Sequence, residues 1–76
     1  MKVVIAKVDQ NLFDGEATSV TLPGVNGEMT VLVNHEPLVT TLKAGTIVVR
    51  DGEGEKEFQI ESGVLEVRRD GITVIL

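Results

Sequence analysis

Three features of the 76-residue sequence predict an all-β fold, a small antiparallel β-sandwich or flattened barrel of about eight to ten short strands. The first is composition: 13 valines, 7 threonines and 5 isoleucines supply a third of the chain. Such β-branched side chains pack well on a pleated surface and lose rotamer freedom in a helix. The second is punctuation, because eight glycines and two prolines leave no long helical window intact. The third is spacing: turn signals separate the apolar runs about every 8–12 residues.

The elements follow in order. Lys2 to Val8 is the first apolar run, closed by Asp9-Gln10-Asn11. A second run, Glu16 to Leu22, alternates Ala17, Ser19 and Thr21 with Thr18, Val20 and Leu22 and stops at Pro23-Gly24. Met29 to Val33 is a third, and Leu38 to Leu42 an extended segment after Pro37. Thr46 to Arg50 and Glu55 to Glu61 flank the hairpin loop Asp51-Gly52-Glu53-Gly54, with Phe58 and Ile60 on one face and Glu57, Gln59 and Glu61 on the other. Val64 to Arg69 and Ile72 to Leu76 flank Asp70-Gly71, a strong short hairpin signal. The last run has no polar tail, which predicts a strand central in its sheet or a chain cut from a longer one. Gly24, Gly27, Gly45 and Gly63 read as turn positions needing positive φ.

At this length the expectation is one domain over residues 1–76, burying about 60% of its unfolded surface. Small folds often lean on disulfides or a structural metal; a chain with no cysteine and one histidine, His35, has neither resource. Hydrophobic residues at 42% are too many for a disordered chain. No apolar run approaches the ~20 residues that span a bilayer, and the N-terminus lacks a secretory signal, so the expectation is a soluble, cytosol-compatible protein. The net charge of −5 repels phosphate backbones and anionic membrane surfaces. With two phenylalanines as the only aromatics, no base-stacking platform exists. Nucleic-acid binding and membrane insertion are therefore not expected; a basic protein partner is compatible.

No catalytic constellation emerges. His35 is the only imidazole, and Ser62-Gly63 lacks a nucleophile elbow. A zinc site needs about three protein ligands, and one histidine would have to be joined by carboxylates alone. No phosphate-cradling Gly-x-x-x-x-Gly-Lys is present. No enzyme activity, metal or cofactor is expected. His35 reads first as a loop residue bonding to backbone, and Glu53, Glu55 and Glu57 as the solvated tip of a hairpin. The surplus of apolar side chains has two readings, core between two sheets or a face awaiting a partner.

Three stretches resemble the N-terminal β-sandwich domain of the epsilon subunit of F-type ATP synthases. Leu12-Phe13-Asp14-Gly15-Glu16 is similar to the family's Leu-Phe-x-Gly-Glu. Pro23-Gly24-Val25-Asn26-Gly27-Glu28, then Val31-Leu32, His35-Glu36-Pro37-Leu38 and Leu42-Lys43-Ala44-Gly45, resembles Pro-Gly-x-x-Gly-Glu … His-x-Pro-Leu … Leu-x-x-Gly without gaps. Ser62-Gly63-Val64-Leu65-Glu66-Val67 with Ile72-Thr73-Val74 resembles Ser-Gly-Gly-Phe-x-Glu-Val … Val-Thr-Val. The ordered set spans nearly the whole chain. Thr30, Val33 and Val64 depart from the family's small residues or proline, and Lys7-Val8-Asp9 from its opening Thr-Pro-Glu.

The resemblance implies a non-catalytic subunit of the central stalk, or rotor, that docks the gamma subunit onto the membrane-embedded c-ring and couples rotation to ATP synthesis. It would lie in the cytoplasm, peripheral on the inner face of the energy-coupling membrane, within a hetero-oligomeric complex. By the same resemblance Gly27, Glu28, Met29 and Thr30 form the c-ring-facing loop, with Glu28 able to pair with basic loops, and Asn34, His35 and Glu36 form the gamma-proximal region. The family's C-terminal helical hairpin, which carries inhibition and in some members an ATP site, has no counterpart before Leu76. A chain naturally this short would couple without that inhibition. The alternative is a stand-alone all-β interaction or carrier module; a carrier would use a lysine at a hairpin tip, for which Lys43 lacks the flanking signature.

Overall fold

The computed structural model describes residues 1–76 as nine strands and no helix. They are β1 (Lys2–Lys7), β2 (Gln10–Glu16), β3 (Ser19–Gly24), β4 (Gly27–Leu32), β5 (Leu38–Leu42), β6 (Gly45–Asp51), β7 (Gly54–Ile60), β8 (Gly63–Arg68) and β9 (Gly71–Ile75). One curled sheet runs β2-β1-β9-β8-β5-β3-β6-β7, with β4 on the other side of β3. The curl makes two layers. β2-β1-β9-β8-β5 forms one, which we call the front, and β4-β3-β6-β7 the back. They join where β5 meets β3 through the single pair Gly24–Leu42. Two backbone bonds reinforce that corner, Lys43 N–H to the Pro23 oxygen at 2.9 Å and Val25 N–H to the Thr41 oxygen at 3.2 Å.

Four two-residue turns close the hairpins: Val8-Asp9, Val25-Asn26, Gly52-Glu53 and Arg69-Asp70. Paired strands with short turns need few residues to satisfy their backbone groups, which suits a chain this small. All ladders are antiparallel except β1–β9, which is parallel with Val3 opposite Ile72 and Ile5 opposite Val74. Strand β9 is thus central in its layer, flanked by β1 and β8.

Period-two alternation places the core between the layers. The front contributes Val3, Ile5, Leu42, Leu65, Val67, Ile72 and Val74; the back contributes Val20, Leu22, Val31, Ile47, Val49 and Ile60. In the β7 hairpin Ile60 is buried and Phe58 half-buried while Glu57, Gln59 and Glu61 are exposed, as the alternation predicts.

Three expectations need correction. The second apolar run is not one strand: Ala17-Thr18 interrupts it, and Gln10–Glu16 is a strand the sequence reading did not assign. Ala17 N–H donates to the Met1 oxygen at 2.9 Å and Thr18 N–H to the Arg50 oxygen at 2.8 Å, so the chain passes from the front layer to the back within two residues. Strand β2 was hidden because a bulge breaks its period: Ile5 faces Phe13 and Ala6 faces Asn11, leaving Leu12 unpaired. The last hairpin turns one residue early, at Arg69-Asp70, and Gly71 lies in β9 opposite Arg68. Finally, of the four glycines expected at positive φ only Gly27 has it, at 132°. Gly24, Gly45 and Gly63 are instead close-approach sites, where an added Cβ would lie 2.8 Å from the Gly27 oxygen, 2.8 Å from Pro23 Cβ and 2.9 Å from Leu76 Cδ2.

Candidate docking surface

The residues singled out from the sequence fall at the two ends of β4. Gly27 to Thr30 are the first four of that strand's six residues, and the tip of its hairpin is Val25-Asn26. Alternation splits the four. Met29, opposite Leu22, packs half-buried against the core, whereas Glu28 and Thr30 are exposed. Glu28 has no salt-bridge partner within the chain, and Thr30 Oγ1 bonds Thr21 Oγ1 at 3.1 Å. The exposed apolar tip residue Val25 went unnoticed in the sequence. The signal was present, since Gly24 and Gly27 bracket a two-residue turn.

Asn34, His35 and Glu36 lie beyond the far end of β4, in the loop Val33–Pro37 that leads from the back layer to the front. At a rise of ~3.3 Å per residue, Glu28 lies roughly 20 Å and Thr30 roughly 13 Å from Asn34 along the chain. The fold therefore does not bring them together. Asn34 adopts the left-handed conformation at φ 69°, a conformation its short amide side chain tolerates. His35 is bonded to backbone at both ring nitrogens: Nδ1 to the Leu32 oxygen at 2.5 Å and Nε2 to the Arg68 oxygen. Glu36 is exposed and, with Asn34, His35, Pro37 and Arg69, lines an open hollow beside this loop.

The outer faces of the two layers differ in chemistry. On the back, Arg50 links polar groups across strands, donating from Nη1 to Thr21 Oγ1 at 3.0 Å and from Nε to Glu55 at 2.6 Å. On the front, register aligns Thr41, Val64, Ile75 and Ala6 in one row across β5, β8, β9 and β1. The next row is Val39, Glu66, Thr73 and Val4. Val39, Val64 and Ile75 are 67%, 43% and 49% exposed, and they form an apolar patch no other part of the chain covers. Arg68 borders it, donating to Glu66 at 2.9 Å and to Thr73 Oγ1 at 3.0 Å. Both readings of the apolar surplus thus apply: most of it is core, and three of the eight exposed large apolar residues gather on the front face.

No three of the chain's histidine, aspartate and glutamate side chains converge to hold a metal ion. Lys43 lies in the passage from β5 to β6, strands that do not pair with each other, and so is not at a hairpin tip. The chain has no helix long and apolar enough to cross a membrane.

Known proteins give this arrangement a context. The family model described as "ATP synthase, Delta/Epsilon chain, beta-sandwich domain" matches residues 1–76. An ATP synthase epsilon chain of Caulobacter vibrioides is 40% identical over 67 residues, covering 88% of this chain and 78% of that one. The epsilon chain of Herminiimonas arsenicoxydans is 38% identical over 77 residues, covering 99% of this chain, which spans 55% of its relative's length. Among solved structures, a chain in the Euglena gracilis mitochondrial ATP synthase (OSCP/F1/c-ring) superposes with a TM-score of 0.88 at 24% identity, covering 96% of this chain and 48% of that one. A chain of the Tetrahymena thermophila mitochondrial ATP synthase central stalk and c-ring gives 0.75 at 16% identity, covering 99% and 63%. These two likenesses concern the fold.

Proposed function

Since the chain belongs to the β-sandwich family of ATP synthase delta and epsilon chains, we propose that it is a non-catalytic rotor subunit. In this reading it docks the gamma subunit onto the c-ring, within a hetero-oligomeric complex held peripherally at the coupling membrane. A rotor coupling transmits torque, and a stiff body loses little conformational entropy on docking. Two-residue turns, a seam closed by backbone bonds and a core drawn from eight of the nine strands supply that stiffness without any reacting group.

The observation that carries the reading is the apolar patch Val39, Val64 and Ile75 on an otherwise polar-bordered sheet face. An uncovered patch of this kind marks an interaction surface. We assign it to gamma, next to the loop of Asn34, His35 and Glu36. The hairpin tip at Val25-Asn26, with Gly27 and Glu28 behind it, is left for the c-ring. Glu28 is exposed and unpaired in the chain, so it is available for charge-assisted bonds to basic loops.

The test is co-sedimentation of the chain with a gamma–c-ring rotor complex stripped of its own epsilon subunit, at low and high salt. Retention in the pellet supports the assignment, and release by salt points to the Glu28 contact, which Glu28→Lys should weaken with the fold unchanged. A folded chain that stays in the supernatant at both salt concentrations refutes the rotor reading.

A further inference from the structure

We propose that His35 is a proton-dependent clamp between the two layers, closed when the imidazole is charged. The clamp belongs to the chain alone and stands apart from the rotor reading. Both ring nitrogens face carbonyl oxygens, Leu32 at the end of β4 and Arg68 at the end of β8. A carbonyl only accepts, so each contact requires an N–H on the ring. Neutral imidazole carries one N–H and one lone pair, whereas imidazolium carries two N–H groups. The protonated ring makes both bonds. The neutral ring makes one and sets a lone pair against the other carbonyl.

The position gives this bond weight. Strand β5 is held to the back layer at its Leu42 end by the Gly24 pair and the flanking backbone bonds. At its Leu38 end the loop Val33–Pro37 has no backbone bond of that kind, and the His35 ring is what joins Leu32 of the back layer to Arg68 of the front. The two ends of one strand are therefore secured by different means, one indifferent to pH and one sensitive to it.

Charged groups reach the ring from two of the elements packed around it. From its own loop comes the Glu36 carboxylate, and from the β8–β9 turn the Arg69 guanidinium; both line the hollow beside the ring. Arg68 supplies the accepting carbonyl, while its guanidinium is committed to Glu66 at 2.9 Å and Asp70 at 3.5 Å. The sign follows directly: the extra bond is present at the acid end and lost as pH rises. A partner that reads Asn34 and Glu36 therefore meets an ordered loop when the ring is charged and a looser one when it is not.

The experiment is amide hydrogen exchange of the 76-residue chain on either side of the charge change that the ring's own nitrogen spectra show, expressed as protection relative to the unstructured peptide. The loop's amides make no backbone bond, so the readout is the bonded amides at the strand ends the ring joins, those of β4 and β8 next to Leu32 and Arg68. Their protection should fall about tenfold or more as the ring loses its charge, the size expected for one hydrogen bond to a charged group. Amides of the β6–β7 hairpin should not change. In His35→Gln, whose side chain does not titrate, protection at those strand ends should be equal at the two pH values. The nitrogen spectra of the unaltered chain give a second readout that needs no variant: both ring nitrogens should carry hydrogen while the strand ends are protected. Protection that is independent of pH in the unaltered chain, a pH effect that survives in His35→Gln, or protected strand ends beside a neutral ring would each overturn the clamp.

Discussion

Phe13 of β2 and Phe58 of β7 meet edge to face, ring centroids 6.0 Å apart with planes at 66°. They are the chain's only aromatic residues, and they join the outermost strand of the front layer to that of the back. The sandwich is thus sealed on one side by the backbone corner at Gly24–Leu42 and on the other by this pair. The Lys56 ammonium lies 5.7 Å from the Phe13 ring centre, over the same seam. Each ring is half-buried, so Phe13→Leu and Phe58→Leu should each cost about 1–2 kcal/mol in urea denaturation. The double variant should cost less than the sum by about 0.5–1.5 kcal/mol, the range for an aromatic pair. Strict additivity would mean that the rings support only their own layers.

Gly71 is required by packing and not by its backbone angle. A Cβ there would overlap the Lys2 carbonyl oxygen, because β9 runs against β1 in the one parallel ladder. Backbone on both sides cannot yield as a flexible side chain would. Gly71→Ala should therefore destabilise by about 3 kcal/mol or leave the chain unfolded. Gly52, at the tip of the β6–β7 turn, has nothing within 4 Å of an added Cβ and no positive φ. Gly52→Ala should be neutral or slightly stabilising in thermal melts. Equal effects at the two positions would contradict this account.

The fold class was legible because alternation survives wherever one face of a strand is buried, as in Phe58 and Ile60 against Glu57, Gln59 and Glu61. It failed at β2, where the unpaired Leu12 shifts the register between Ile5 and Ala6 and the outermost strand buries too little to mark a face. It failed again at Ala17-Thr18, since alternation continues across a passage between layers that only long-range bonds to Met1 and Arg50 define. The docking patch was illegible for a related reason. Val64 and Ile75 look like any strand valine and isoleucine until the pairing of β8 with β9 sets them side by side on the outer face. The bonding of His35 to backbone was anticipated, but its partner Arg68 is 33 residues away and no local pattern announces it.

On the back face Arg50 reaches both Thr21 and Glu55. The Glu55 pair is exposed at both ends and contributes little. The Thr21 hydroxyl is buried, yet it keeps its bond to Thr30 when the guanidinium is removed. No buried polar atom is orphaned, so Arg50→Met should lower stability by no more than about 1 kcal/mol. Thr21→Val with Thr30→Val, which removes the pair together, should be equally mild. A loss of 3 kcal/mol in either measurement would place this network among the main supports of the fold.

The front patch offers a substitution that separates docking from folding. Val39 is 67% exposed and stands opposite Glu66 on β8. Val39→Lys puts an ammonium beside that carboxylate, a favourable cross-strand pair that offsets the loss of a β-branched residue. The melting temperature should therefore change by only a few degrees. A charge in the middle of a desolvated contact is a different matter, because it must be buried without a partner. If the patch is the gamma-facing surface, Val39→Lys should weaken rotor binding by about tenfold or more, as expected of a central contact. Val8→Lys is the control, since Val8 is 101% exposed at the β1–β2 turn and lies off the patch. Equal binding by the unaltered chain and both variants would move the docking surface to another face. A loss confined to Val39→Lys, with both variants folded, would fix it on the front layer.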